Sequence, residues 1–233
     1  FCSASPLRIE RVQMTGSVFS PTFEALPASI PVFPLMGVLL LPGGRLPLNI
    51  FEPRYVSMID DALGDARMIG MIQPTEHENT TSAPNLNRTG CAGRLTSFSE
   101  TPDGRYLITL SGLCRFDIES EVPTTRGYRR AVVDWNAYQG DFAADEDFEF
   151  DRDRLFSVLR TYFTQKGVEV DWEALEQTSA CQLTTTLSMV CPFTAAEKQA
   201  RLEAKTIENR CETVITLLEM AVHAAGEGGD ARH

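Results

Sequence analysis

Few side chains in this chain of 233 residues carry the chemistry of a catalyst. The histidines are His77, His223 and His233. A Ser-His-Asp triad or a zinc site needs a sheltered, oriented imidazole. His77, between Glu76 and Glu78, is the one candidate, yet neighbours on a polar loop diverge into water and a metal needs about three or four convergent ligands. No metal is therefore expected. Carboxylates pair at Asp60-Asp61 and across Asp145-Glu146-Asp147. The first two diverge on a helix and the others stand in an acidic loop, where nothing splits their pKa values into an acid and a base. A phosphate-binding loop reads G-x-x-x-x-G-K-[ST], because backbone amides cradle the phosphates while the lysine reaches the terminal ones. The lysines are Lys166, Lys198 and Lys205, and none follows such a glycine. No catalytic residue and no cofactor is predicted.

Six cysteines, Cys2, Cys91, Cys114, Cys181, Cys191 and Cys211, include no C-x-x-C pair. Cys91 and Cys114 lie in strand-like segments and Cys181 and Cys211 on apolar helix faces, so they read as buried thiols. With no secretory signal, a reducing cytoplasm follows. A net charge of -11 and a pI of about 4.8 oppose a phosphate backbone, so no nucleic acid is expected. The apolar run Val32 to Leu41 is broken by Pro34 and Gly37, ends at Pro42, and is far shorter than the roughly 20 residues of a membrane span. It reads as buried strand. At 43% hydrophobic content the chain can bury a core without disulfide or metal.

The elements that would position any site follow from periodicity. Residues 1–27 read as a flexible leader, and Phe1-Cys2 in place of an initiator methionine points to Met14 as the start. Strands are predicted around Val32, at Leu39 to Leu41 and at Leu46 to Ile50. Pro53 suits a helix N-terminus, and Tyr55, Met58, Ile59, Ala62 and Leu63 form its buried face up to Gly64. Met68 to Ile72 reads as a buried strand and Thr75 to Thr89 as a long polar loop. Cys91 to Ser99 and Tyr106 to Leu110 flank a Thr101-Pro102-Asp103-Gly104 turn. Strands at Leu113 to Ile118 and Tyr128 to Tyr138 complete a first part, residues 28–140. The acidic stretch Asp141 to Asp153 then marks a change of period from about two to about 3.6. A helical part, 141–225, follows, with starts at Asp171, Ser179-x-x-Gln182 and Thr194-x-x-Glu197. Its last helix carries Leu202, Ile207, Cys211, Val214, Ile215, Leu218 and Val222, and the tail 226–233 reads as disordered.

The densest signal is Ile30 to Leu63, IPVFPLMGVLLLPGGRLPLNIFEPRYVSMIDDAL. Its Pro31-Val32-Phe33-Pro34-Leu35, Leu41-Pro42-Gly43, Leu46-Pro47-Leu48, Ile50-Phe51-Glu52 and Arg54-Tyr55 resemble the opening strands of the N-terminal substrate-recognition domain of Lon-type ATP-dependent proteases. The resemblance runs from about Ile30 to about Ala225. It implies an α+β protein: a twisted β-barrel of the pseudouridine-synthase-and-archaeosine-transglycosylase (PUA-like) type with one short helix, then a helical bundle ending in a long helix.

An active Lon protease also needs an ATPase, whose loop is absent, and a peptidase with a serine activated by a desolvated lysine. Lys198 and Lys205 are expected on a solvated helix face beside Glu197, Arg201 and Glu203, which does not suit a dyad. The family's recognition part alone is therefore expected: a stand-alone, non-catalytic module for unfolded or exposed apolar polypeptide segments. An adaptor or regulator docking on an ATP-dependent protease or chaperone through the acidic segment around Asp145 is the second reading, and an unrecognised hydrolase the third. In Phe51-Glu52-Pro53-Arg54-Tyr55, the structural expectation has Glu52 meeting helix amides while Phe51 and Tyr55 plug the barrel. The functional one has Arg45, Leu46, Phe51, Arg54 and Tyr55 bordering a peptide groove.

Overall fold

The computed structural model describes residues 21–75, 84–142 and 148–227. They fall into two compact units, one of residues 21–142 with Met189–Glu203, the other of residues 148–188 with 204–227. Strands and helices together make the protein α+β.

The first unit is built on six strands: β1 (Ser29–Pro34), β2 (Arg45–Ile50), β3 (Met68–Ile72), β4 (Thr89–Glu100), β5 (Tyr106–Val122) and β6 (Arg129–Asp134). Their order is β2-β5-β4-β3-β1-β6, and β6 also pairs with β5, so the sheet closes into a ring. Only β1 and β3 run parallel. The 17-residue β5 makes closure possible. Along one edge it pairs with β4. On the other it pairs with β2 from Tyr106 to Ser111 and with β6 from Asp117 to Val122. Closure removes the edges that an open sheet leaves unpaired, except along β2, which among the described residues pairs with β5 alone.

Helix α1 (Pro53–Gly64) turns Tyr55, Met58, Ile59 and Ala62 inward, onto a core with Phe33, Leu39, Leu40, Leu41, Ile69 and Leu110. Its polar face is tied down rather than merely wet: the Tyr106 hydroxyl donates to Asp60 at 3.0 Å and the Tyr128 hydroxyl to Asp61 at 2.8 Å. The predicted turn forms with Gly104 at φ 76° and its amide bonded to Thr101 O at 2.9 Å. Helix α5 (Ala195–Glu203) also belongs to this unit. The Gln73 side-chain amide donates to Ala195 O and Gln199 Oε1, both at 3.2 Å, and its oxygen accepts from Gly37 N at 3.2 Å. Gln199 in turn donates to Thr89 O at 3.1 Å. Arg115 pairs with Asp141 at 2.7 Å and donates to Leu202 O at 3.1 Å, which fixes the end of α5 to β5.

The second unit holds α2 (Arg152–Lys166), α3 (Trp172–Glu176), α4 (Ala180–Val190, counted up to 188) and α6 (Ile207–Glu227). Asp151 and Asp171 cap α2 and α3 by accepting from Arg154 N at 2.9 Å and Ala174 N at 3.0 Å. Arg154 then joins α2 to α6 through Glu219 at 2.7 Å and Glu212 at 2.8 Å. The other two predicted starts also form: Gln182 N donates to Ser179 Oγ, and Thr194 and Glu197 cap each other reciprocally.

Several sequence expectations give way to packing. Leu39 to Leu41 is no strand. These residues are buried in an irregular crossing over β5, where Gly44 N bonds Leu41 O at 2.9 Å and Gly112 N bonds Gly44 O at 2.8 Å. Apolar density here reports burial and not extended pairing. The segments at Tyr106 and Leu113 are one continuous strand, and β6 stops at Asp134, ahead of 3₁₀ turns over Asn136–Phe142. Leu202 belongs to α5, because Thr206 starts a new helix by capping Asn209 N at 3.2 Å. Lys198 and Arg201 are not on a solvated face. Both are buried, Lys198 donating to Gly37 O at 2.7 Å and Arg201 lying 3.5 Å from the centre of the Phe193 ring, while Lys205 sits between the two helices. Cys91, Cys114, Cys191 and Cys211 are buried thiols and Cys181 is half-buried. Cys2, Glu76, His77, Glu78, Asp145, Glu146, Asp147 and His233, like most of residues 1–27 and 226–233, lie outside the described residues.

Candidate functional site

A groove of about 660 Å³ opens in the barrel unit. One wall is the end of β1 and the turn after it, Phe33 to Met36. The other is Leu48, Asn49 and Ile50 of β2, continuing into Phe51, Glu52, Arg54 and Tyr55 at the start of α1. Pro74, Pro84 and the Gly127-Tyr128-Arg129 segment line the rest. Proline punctuates these walls: Pro34 ends β1, Pro53 opens α1, and Pro47, with no N–H to donate, offers no donor along the outer edge of β2.

The floor is aromatic. Tyr55 packs on Phe33 with ring centroids 4.3 Å apart, and the Arg54 guanidinium lies 4.5 Å from the Tyr55 ring centre. Burial pushes the Tyr55 phenol up against the opposing pull of Arg54. Glu52 holds Arg54 at 2.8 Å and makes no side-chain cap to the helix, so the expected contact with free amides is replaced by an ion pair. Arg129 is held by Glu121 and by Pro84 O, the latter at 2.6 Å. Phe51 does not plug the barrel. It is 64% exposed at the groove mouth, with Arg105 at 6.0 Å from its ring centre.

Of the five residues singled out from the sequence, Phe51, Arg54 and Tyr55 stand together in this lining, while Arg45 and Leu46 are not among it. Arg45 is exposed, and Leu46 packs against the core. Phe33 and Leu35 were legible as part of the motif but not as groove wall. Tyr128 and Arg129 carry no local signal at all, since the β1–β6 pairing of Val32 with Arg129 brings them there from across the chain.

The groove offers apolar surface, aromatic faces, two guanidinium groups and one carboxylate. Among the described residues no three His, Cys, Asp or Glu side chains converge as a metal site. No described helix is long and apolar enough to cross a membrane. A second, smaller cavity of about 320 Å³ lies beside α5, lined by Gln73, Asn87, Gln199 and Glu203 among others. The buried Gln73 and Gln199 amides there are spent on bonds within the protein.

Comparison with known proteins gives one consistent relationship. The model of the ATP-dependent protease La (LON) substrate-binding domain matches residues 29–220. The Lon protease of Flavobacterium johnsoniae is 30% identical over 111 residues, 47% of this chain and 14% of that protease. Lon protease 1 of Hydrogenovibrio crunogenus is 24% identical over 203 residues, 82% of this chain and 24% of the relative. The matches therefore span a minor part of the full proteases. A Lon N-terminal domain protein from Xanthomonas campestris superposes with a TM-score of 0.57 at 21% identity, covering 81% of this chain and 97% of that one. The N-terminal domain of Mycobacterium avium complex Lon protease gives 0.54 at 14% identity, covering 82% and 98%.

Proposed function

This chain belongs to the Lon substrate-binding domain family, and from that premise we propose that it is a non-catalytic recognition module that holds exposed apolar or unfolded polypeptide segments in the barrel groove. The observation that carries this reading is the groove itself, apolar and aromatic on its floor and edged by a strand. Burying one Leu- or Phe-sized side chain contributes about 1.5–3 kcal/mol. A few such side chains, offset by the cost of ordering a flexible segment, give dissociation constants on the order of micromolar to millimolar. Weak and sequence-tolerant binding suits a module that samples many chains.

Phe51, Arg54 and Tyr55 are the proposed contacts from the sequence reading, joined by Phe33, Leu35, Leu48 and Tyr128. Arg45 and Leu46 are proposed only as support for β2. The test is a titration of the purified protein with a permanently unfolded client, such as a reduced and carboxymethylated protein. Phe51→Ser is expected to weaken binding about fivefold without changing the melting temperature, since an exposed ring contributes little to folding. Wild-type protein that fails to bind any unfolded client sinks the proposal.

A further inference from the structure

We propose that the groove takes an extended segment of pattern apolar-x-apolar, which adds as an antiparallel strand to the free edge of β2 at Asn49. The inference rests on the polypeptide-binding reading above and specifies the conformation and chemistry of what is held.

Strand β2 ends the sheet order, and among the described residues β5 is its strand partner. The direction of each backbone group follows from one bond. Gly112 N donates to Gly44 O at 2.8 Å, in register with the Arg45–Ser111 pair that follows. Backbone groups alternate sides along a strand. Leu46, Leu48 and Ile50 therefore face β5, as Gly44 does, and Arg45, Pro47 and Asn49 face outward. Pro47 fits this assignment, because a proline survives in an edge strand where its missing N–H points away from the sheet. The groove touches Leu48, Asn49 and Ile50 consecutively. A cavity lying over one face of a strand would meet alternate residues; one that meets both parities borders the edge.

Asn49 is thus the outward-facing residue of β2 in the groove wall, presenting both N–H and C=O. In an antiparallel pair one residue exchanges both bonds with its opposite number. Call that ligand residue x. Its side chain shares a face with that of Asn49, which is exposed, whereas its two neighbours share the face of Leu48 and Ile50, half-buried and buried. Those neighbours would meet the Phe33–Tyr55 floor, which is why they must be apolar. Charge adds no further preference, because Arg54 is paired with Glu52 and Arg129 with Glu121.

The experiment uses wild-type protein and a labelled acetyl-Glu-Phe-Ser-Leu-amide peptide read by fluorescence anisotropy. N-methylation of the central Ser removes the donor to Asn49 O and is expected to weaken binding about tenfold. N-methylation of the Leu, whose N–H points away from β2, should change it less than about threefold. On the protein side Asn49→Pro is expected to act like the central N-methyl group, while Asn49→Ala keeps binding. Equal sensitivity at both N-methyl positions, or none at either, with Phe51→Ser still weakening the peptide, overturns strand addition and leaves the polypeptide-binding reading standing. Failure of this peptide alongside tight binding of an unfolded client overturns the inference, and failure of both overturns the reading beneath it.

Discussion

Replacing Gly112 by alanine is expected to cost more than any other single methyl group in the barrel unit. A Cβ at this position would stand 1.9 Å from Leu41 O and 2.7 Å from its carbonyl carbon. Restoring ordinary contact at about 3.4 Å needs the two segments to part by about 1.5 Å. Neither is a flexible side chain that could swing aside. Three backbone bonds hold the crossing: Gly112 N to Gly44 O at 2.8 Å, Gly44 N to Leu41 O at 2.9 Å and Gly43 N to Gly112 O at 3.1 Å. A displacement of that size breaks two of them inside a packed core, at about 1–3 kcal/mol for each group left unsatisfied. The expected loss is about 3–5 kcal/mol, a large fraction of the 5–15 kcal/mol typical of a whole domain. For a protein of this size that lowers the melting temperature by about 6–20 °C. Trp135 in the barrel unit and Trp172 in the helical unit are the two tryptophans, so a Trp172→Phe background leaves barrel unfolding to be followed by fluorescence. Because β2 starts directly after this crossing, client affinity should fall with stability. A Gly112→Ala protein that melts within 2 °C of its parent would show that the crossing is not the clamp described.

Three further outcomes follow. Gln73→Leu, which strands Gly37 N and the Gln199 side chain, should destabilise by about 2–4 kcal/mol in urea unfolding and raise hydrogen exchange along α5 first. Arg67 is exposed and takes a left-handed φ of 56° between α1 and β3, so Arg67→Gly should raise stability by about 0.5–1 kcal/mol, measured by the same titration. Burial pushes the Cys114 thiol up to about 12 and the Cys191 thiol to about 11. Both are raised above the unfolded value of about 8.5, so the stabilisation is complete below that pH and is lost as pH climbs toward the folded values. The urea midpoint should therefore fall between pH 8 and 10.5, less steeply in a Cys114→Ala, Cys191→Ala double variant, and a thiol reagent at pH 8 should modify Cys181 well before either.

Local chemistry was readable from the residues, and long-range assembly was not. The Asp171 and Thr194–Glu197 caps, the Gly104 turn and the inward face of α1 depend on side chains within a few positions of each other, and the spacing alone announced them. Leu39 to Leu41 has the composition of a strand but lies where three glycine amides and carbonyls tie it across β5, a geometry no local pattern encodes. Lys198 and Arg201 look like surface residues beside Glu197 and Glu203. They are buried because α5 packs on the barrel, where Gly37 O accepts from the lysine. The groove divides the same way. Phe51, Arg54 and Tyr55 were visible in one motif, whereas Tyr128 and Arg129 arrive through strand pairing about 75 residues downstream.

The central claim is that this chain grips other polypeptides in the barrel groove. It is tested most directly by placing a photo-crosslinking amino acid at exposed Phe51 and, as a control, at exposed Val168 in the other unit, then irradiating with a carboxymethylated, unfolded client. Crosslinking from position 51, competed away by excess unlabelled client and absent from position 168, is the predicted result. Equal yields from both positions, or none from position 51 while the client still binds, would contradict the account.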